Sequence, residues 1–450
     1  MKQIFSTPHK LFFFSALVML LLTLLFGLTA SLYYAYPELG SKAPWFQALR
    51  PMHVTAAVCW ILLGATACVY AGLRAKGHAP NLWIARLQWA LWILAIGGIY
   101  HAYARGWFGG REYWEFPPQW AVPVMGAWAL FLVQIVTAVR KIRRWPVYIW
   151  MWLTGGLFFL FAFIENYLWL LPYFREHIVG DMTIQWKSNG SLVGAWNQLL
   201  YGAAFYLMER IGKDRAAGRS KMAFAMYFLG LSNLMFNWGH HIYPLPTAPH
   251  VRYIGYLVSM TEWVFLLRII HSWKQSLSAA QRHYHYFPYR FLMAADIWVF
   301  FSLAQAIVMS VPALNLYTHG THVTVAHAMG TTIGINSMIL MAAGFAAVGP
   351  PATPVHPARW LGIAFWTTQG ALLVFWVSLN WAGVLKGFWQ MSAQQAPFSQ
   401  LMHGLRPLFV VFAGAGLVLA ISLGALGVAL MRTTLTKTVR PDLNNIEKTS

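Results

Sequence analysis

Long apolar segments follow one another along almost the whole 450-residue chain. Each contains about 20 residues or more, which is the length that an α-helix needs to cross the hydrocarbon core of a bilayer. Twelve such segments are predicted, at 11–36, 52–73, 82–104, 119–139, 147–172, 191–209, 222–243, 251–273, 291–312, 320–349, 360–385 and 407–431. Because lipid cannot satisfy backbone polar groups, these spans must be helices. The sequence therefore predicts an all-α fold, a polytopic membrane bundle of about twelve transmembrane helices.

The chain is predicted to form a single integral-membrane domain over residues 1–450. The spans occupy roughly 11–431, and a polar tail follows over 432–450. With 58% hydrophobic and only 10% charged residues, the composition excludes a soluble domain. The first span has the charge and apolar run of a signal peptide, but it is too long and lacks a small-residue cleavage site. It is expected to remain as a signal anchor.

The placement of positive charge predicts the orientation of the bundle. The net charge is +20, and the alternating loops divide the 32 Lys and Arg residues into 23 on the amino-terminal side and 9 on the other. Cytoplasmic loops of membrane proteins are enriched in Lys and Arg, so both termini are predicted to be cytoplasmic. The basic loops are expected to contact anionic lipid headgroups rather than nucleic acid.

Cysteine chemistry is nearly excluded by the sequence. Cys59 and Cys68 both fall within the second predicted span, and neither belongs to a C-x-x-C-H haem-attachment motif or a paired-thiolate metal motif. The chain therefore cannot hold haem c covalently or a cysteine-based copper pair. If it handles electrons, another protein must deliver them.

A histidine and a methionine stand two residues apart in the tenth predicted span. His327 and Met329 belong to the run THGTHVTVAHAMG over 318–330. On an α-helix this spacing turns successive side chains by about 200°, so the two face nearly opposite ways. Histidine and methionine are both usual axial ligands of haem iron, and one helix can then serve a group on each flank. The alternative is a hydrogen-bonded core histidine and a space-filling methionine.

Several other histidines are predicted to lie near the outer ends of their spans. His53 opens the second span, where it would either ligate a haem or lie at headgroup level. His240 and His241 are adjacent at the end of the seventh span, and they can share one metal only if neighbouring groups supply its other ligands. His319 and His322 precede the tenth span, where they would bond haem propionates or simply be solvated.

Carboxylates are scarce, so their positions are informative. Glu112 and Glu115 lie in an outer loop next to Arg111, where they would bind a divalent cation or form an ion pair with Arg111. Glu165 lies in the fifth span and is expected to be protonated, paired or metal-bound. Glu262 in the eighth span returns to nearly the depth of the histidine pair. It is a candidate proton donor or a group that orients a metal ligand, or else a neutral structural residue.

Taken together, these motifs resemble the catalytic subunit of bacterial nitric oxide reductases, in the haem-copper oxidase superfamily. The resemblance covers nearly the whole chain, and the run from Thr318 to His327 is its most specific part. It implies a low-spin haem b at His53, a high-spin haem at His327 and a non-haem iron or copper site at His240 and His241. It further implies that Glu112 helps to bind calcium, and that Glu262 lies close to the active site.

The chain departs from the family pattern in two ways. The second ligand of the low-spin haem is normally histidine, whereas this chain has Met329; a His53/Met329 haem is therefore expected, with a raised reduction potential. The family also places a third metal histidine and a glutamate at the start of the sixth span, where this chain has Asn189 and Val193. Asn189 is a possible weak replacement ligand. Glu165 is a second possible replacement for the missing carboxylate.

The resemblance implies a membrane haem oxidoreductase that reduces nitric oxide, a small gaseous substrate, to nitrous oxide. Electrons would come from a partner subunit carrying haem c or a copper centre, and the location would be the bacterial inner membrane. Because metal ligands are missing, three alternatives stay open: dioxygen reduction, nitric oxide dismutation, and a haem sensor or electron conduit without turnover.

Overall fold

The computed structural model describes residues 5–40, 46–212, 218–243, 245–259, 263–278, 282, 286–347 and 359–435. Almost all of them are helical, and the described residues contain no strand beyond an isolated bridge between Arg111 and Trp114. The α-helices are α1 Pro8–Ala35, α2 Pro37–Gly40, α3 Phe46–Ala75, α4 Leu82–Ala104, α5 Ala121–Val139, α6 Val147–Glu165, α7 Pro172–Arg175, α8 Ile178–Gly212, α9 Lys221–Phe236, α10 Pro249–Ser259, α11 Trp263–Ser276, α12 Tyr286–Ser310, α13 Pro312–Thr318, α14 His322–Met329, α15 Met338–Ala347, α16 Arg359–Met391 and α17 Phe398–Leu435.

Shorter helical types join some of these elements. Three are 3₁₀ helices, at Pro118–Trp120, Leu168–Leu170 and Asn237–Ile242. A π-helix over Gly330–Ser337 connects α14 to α15, so one continuous rod runs from His322 to Ala347. Side-chain hydroxyls donate to backbone carbonyls within this rod, from Thr331 to His327, from Thr332 to Ala328 and from Ser337 to Thr332.

The predicted polytopic membrane bundle is confirmed, but the count of twelve spans is not. In the part of the chain that the structure describes, nine helices are long and apolar enough to cross a membrane. The predicted sixth, seventh and eighth spans coincide with helices that are not among these nine. They are α8, then α9 with its 3₁₀ extension, and then α10 with α11. The polar residues of α8 and the 16-residue length of α9 account for two of these differences. The eighth predicted span includes residues 260–262, which lie outside the described part of the chain between α10 and α11.

Side-chain contacts establish which helix ends share a face of the bundle. Phe12 near the start of α1 packs edge-on against Tyr70 near the end of α3, so these helices are antiparallel. Lys76, just after α3, forms an ion pair of 2.9 Å with Glu209 near the end of α8. We call this side the amino-terminal face. His53 and the start of α8 consequently lie toward the opposite face.

Two hydrogen-bonded helices fix the depth of the predicted haem ligands. Trp60 Nε1 in α3 donates to Ser337 Oγ at 2.9 Å. His53 precedes Trp60 by seven residues, about two α-helical turns, so both side chains lie on one face of α3. Met329 precedes Ser337 by the eight residues of the π-helix, which are roughly two turns of a helix closed by i→i+5 bonds. His53 and Met329 therefore lie at similar depth on facing sides of their helices.

Glycines in α16 let it contact the backbone that leads into α14. A Cβ on Gly383 would lie 2.2 Å from Val323 N, and one on Gly387 would lie 2.0 Å from Tyr317 O. Lys386 Nζ also donates to Gly320 O at 2.9 Å. This small-xxx-small spacing is typical of closely packed membrane helices. It positions the segment that carries His319, His322 and His327.

We expect Gly387→Ala to destabilise the protein by about 1–3 kcal/mol, since the new methyl group would collide with backbone rather than with a flexible side chain. Gly370→Ala is the matched control, because a Cβ at Gly370 in the same helix meets no atom within 4 Å. The measurement is the thermal unfolding midpoint in detergent. Equal midpoints for the two variants would contradict the close packing.

Candidate functional site

A carboxylate pair on the face opposite the amino terminus is bonded to Arg50. Arg50 Nη1 donates to Glu115 at 2.8 Å, and Nη2 donates to Glu112 at 3.1 Å. The ion pair of these carboxylates with Arg111, one of the two alternatives that the sequence suggested, is therefore wrong. Arg111 instead contacts both oxygens of Asp181, at 2.7 and 2.9 Å. Arg50 precedes His53 by one turn of α3, so this cluster anchors the outer loop beside the predicted haem ligand.

The loop that presents these carboxylates has a tight turn. Gly110 has no room for a side chain, since a Cβ there would lie 1.6 Å from Trp114 O. Tyr113 adopts a left-handed backbone with φ of 70°. Burial raises the pKa of the Glu115 carboxyl, and the charge of Arg50 opposes that shift only in part. Asn189 Nδ2 donates to Glu112 O at 3.3 Å, which ties the loop to α8.

His53 has the hydrogen bonding expected of a ligating histidine. Its Nδ1 lies 2.9 Å from the carbonyl oxygen of Thr23 in α1, which places the ring proton on that nitrogen. Gly27 packs directly on the ring, because a Cβ there would lie 2.6 Å from His53 Cε1. The backbone of α1 thus fixes the ring and leaves Nε2 for a ligand, as ligating histidines usually require.

His327 and Met329 both lie in the regular α-helix α14, so their predicted opposite orientation holds. The His327 ring contacts the backbone of Ser302 in α12, and it lies within electrostatic range of His241. Its Nδ1 is buried and has no hydrogen-bond partner among the described residues. Met329 is partly buried against the main apolar core. The two side chains therefore project from nearly opposite sides of α14.

The histidine pair lies in the 3₁₀ helix Asn237–Ile242 rather than in an α-helix. The rings of His240 and His241 have centroids only 4.1 Å apart, with a 40° angle between their planes. Trp186 of α8 stacks on His241 at 5.2 Å with a 9° interplanar angle. His241 also lies within electrostatic range of His319 and His327. The structure thus brings His241 within electrostatic range of His327, with the His240 ring packed beside it.

The remaining predicted site residues occupy different surroundings. Glu165 forms a close ion pair with Lys187, and its carboxylate is largely buried. His322 packs against the rings of Tyr34 and Phe409. Burial lowers the pKa of His319, which favours its neutral form. Glu262 lies outside the described residues.

The metal-ligating residues only partly fit a complete non-haem site. Among the described residues, no group of three or more His, Cys, Asp or Glu side chains is arranged to hold a metal ion. His240 and His241 supply two imidazoles, as the sequence predicts. Asn189 Oδ1 is buried without a hydrogen-bond partner in the described part of the chain, so a carbonyl-type donor is available in α8.

Some residues of the site escaped the sequence analysis. Trp186 and Lys187 lie before the predicted sixth span at 191–209, whereas α8 begins at Ile178. The first turns of α8 carry Asp181, Gln185 and Asn189, so no hydropathy pattern extends the span there. Arg50 offered a usable signal, since it lies one helical turn before His53 in a chain with few outer charges.

Comparison with known proteins identifies the family and the fold of the chain. Residues 7–418 match the family described as Cytochrome C and Quinol oxidase polypeptide I. The chain is 25% identical over 368 residues to a nitric oxide reductase subunit from Stutzerimonas stutzeri, covering 74% of this chain and 73% of that protein. A cryo-EM structure of a heme-copper terminal oxidase dimer superposes with a TM-score of 0.73 at 13% identity, covering 96% of this chain and 85% of that one.

The predicted resemblance to nitric oxide reductases and the haem-copper oxidase superfamily is confirmed by these matches. The solved structure shows that the fold is shared. Since the family pattern extends over most of the sequence and the helices are those of a multi-pass membrane protein, this chain belongs to the Cytochrome C and Quinol oxidase polypeptide I family of membrane oxidoreductases.

Proposed function

We propose that this chain is the catalytic subunit of a nitric oxide reductase of the bacterial inner membrane. The reaction joins two molecules of nitric oxide, with two electrons and two protons, into nitrous oxide and water. One observation carries the proposal: His327 in α14 lies within electrostatic range of His241, while Met329 projects from the nearly opposite side of the same helix, at a depth similar to that of His53. The 25% identical relative is named for the same activity.

His53 and Met329 would hold a low-spin haem b, and His327 would hold a high-spin haem. These haems supply one-electron transfer and a binding position for the gas. The protein's part is to fix the ligands. The Thr23 carbonyl orients the His53 ring, and α12 supports the His327 ring through Ser302. His319 and His322 are proposed to bond the haem propionates.

The second metal, iron or copper, would bind His240 and His241, with Asn189 as a weak additional ligand. Trp186 restrains the His241 ring by stacking on it. Glu165 and Glu262 remain proposed proton-handling groups, and Lys187 would then set the charge of Glu165. The proposed calcium at Glu112 would have to share the carboxylates with Arg50, which already contacts both.

Electrons are proposed to enter from the face opposite the amino terminus, through a partner subunit carrying haem c or a copper centre. His53 and the Arg50 cluster both lie toward this face. The excess of Lys and Arg in the other set of loops supports a cytoplasmic location for the amino-terminal face.

Membrane-inlet mass spectrometry with isotopically labelled nitric oxide tests the activity. Nitrous oxide formed at one molecule per two nitric oxides supports the proposal. Oxygen release would show dismutation instead, and oxygen uptake would show dioxygen reduction, the activity suggested by the solved terminal oxidase. A protein with both haems and no turnover of any of these gases would be an electron conduit or a sensor.

Met329→His is expected to keep a low-spin haem but to lower its reduction potential, because a thioether ligand stabilises the reduced iron relative to imidazole. Spectroelectrochemical titration of the purified protein measures the shift. Met338→Leu is a suitable control, since Met338 is a buried methionine of the same rod below the ligand positions. An unchanged potential in Met329→His would show that Met329 is not a ligand.

A further inference from the structure

A carboxylic acid lies within α12 with no Lys or Arg at ion-pair distance among the described residues. Asp296 is about three turns into the helix from Tyr286, and its Oδ1 is buried with no hydrogen-bond partner among the described residues. By contrast, Glu112, Glu115, Glu165, Asp181 and Glu209 each contact a Lys or Arg within 4 Å. An isolated carboxylate is costly at this depth, so Asp296 must be protonated or hydrated.

Asp296 lines a cavity of about 40 Å³. Its other walls include Tyr201 and Met208 of α8, Trp273 of α11 and Ile339 of α15. This volume has room for on the order of two or three water molecules. Tyr201 is the only other titratable side chain in the described lining.

The cavity lies toward the amino-terminal face. Trp273 Nε1 donates to Met208 O at 3.1 Å, one residue before the Glu209 that pairs with Lys76. The charged group of α11 that acts on Asp296 is Lys274, which is exposed at the end of that helix. Arg290, on the same helix as Asp296, lies over the rings of Tyr286 and Trp366 instead.

The helices that line this cavity or contact His327 also carry buried polar side-chain atoms without hydrogen-bond partners among the described residues. Asn336 is fully buried in the π-helix, one turn before Ile339, and neither its amide oxygen nor its nitrogen has a hydrogen-bond partner in the described part of the chain. Two further buried atoms also lack a hydrogen-bond partner among the described residues: Asn197 Oδ1, one turn before Tyr201, and Ser302 Oγ, which lies beside His327 and Gly330. Buried polar groups of this kind are usually satisfied by internal water.

We infer that Asp296 is a proton-exchange site, loaded from the amino-terminal face and unloaded toward His327 through water held by Asn197, Asn336 and Ser302. In each cycle the carboxyl group releases one proton to this water and becomes a carboxylate. A proton from the amino-terminal face then restores the acid. The inference rests on the proposed function, because gas reduction at His327 is what consumes the protons.

Infrared spectroscopy provides a test that does not depend on turnover. In wild-type protein we expect a protonated-carboxyl stretching band that shifts in D₂O and changes when the haems are reduced. Asp296→Asn should remove this band while leaving the optical spectra of both haems intact. Glu176→Gln, at an exposed acid outside the membrane helices, should leave it in place.

Turnover provides the second readout. Asp296→Asn should slow gas reduction roughly 10- to 100-fold, as expected for loss of a proton-transfer group, and Asp296→Glu should restore much of the rate. A band that persists in Asp296→Asn, or a wild-type turnover rate in that variant, would overturn the inference. If the physiological gas is not nitric oxide, the infrared result still decides whether Asp296 exchanges protons, so the two proposals fail separately.

Discussion

His327→Ala should abolish gas reduction and lose the ligand-binding haem while keeping the low-spin one. The pyridine haemochrome assay should fall from two haems per chain to one, and the spectral response to carbon monoxide should disappear. The activity loss should be at least about 100-fold, since changes to groups that merely orient a ligand already cost 10- to 100-fold. The physical reason is that α14 offers no other ligating side chain on the face toward Ser302 and His241.

His403→Ala is the control for this experiment, because His403 is an exposed histidine of α17. It should retain both haems and full activity. Retention of the carbon monoxide response in His327→Ala would show that a residue other than His327 holds the high-spin haem. It would also remove the main support for the proposed function.

His53→Leu should remove the low-spin haem and stop electron delivery, again with an activity loss of at least about 100-fold. The low-spin absorption bands should vanish, whereas carbon monoxide should still bind to the haem at His327. Leucine is similar in bulk to histidine but cannot ligate a metal, so the packing against Gly27 is largely retained.

A weaker substitution separates orientation from ligation at the same haem. Gly27→Ala would push a methyl group to within 2.6 Å of the His53 ring, which must then tilt. We expect a low-spin haem that remains bound but has an altered potential. Loss of the low-spin spectrum in Gly27→Ala but not in His53→Leu would contradict the assignment of His53.

The parts of the fold that depend on apolar length were predictable from sequence. Uninterrupted apolar runs define membrane helices such as α1, α3 and α17, because insertion into lipid depends on composition over about 20 residues. The start of α8 was not predictable in this way. Its polar first turns are covered by the Glu112 loop, and that cover is a tertiary contact.

Some features of the candidate site were likewise predictable from the sequence, and others were not. The opposite orientation of His327 and Met329 follows from helix geometry alone and could be predicted. The stacking of Trp186 on His241, and the pairing of Glu112 with Arg50 rather than Arg111, depend on how distant segments meet. Local spacing does not contain that information.

The π-helix Gly330–Ser337 also bears on how sequence length can vary at this site. Its two turns use eight residues, whereas two α-helical turns use about seven. Removing one residue here would let the rod become α-helical throughout while Ser337 still meets Trp60. The same deletion inside α14 would instead rotate His327 by about 100° relative to the helix below it. A relative that is one residue shorter in this segment can therefore keep the side chains of His327 and Met329 in place.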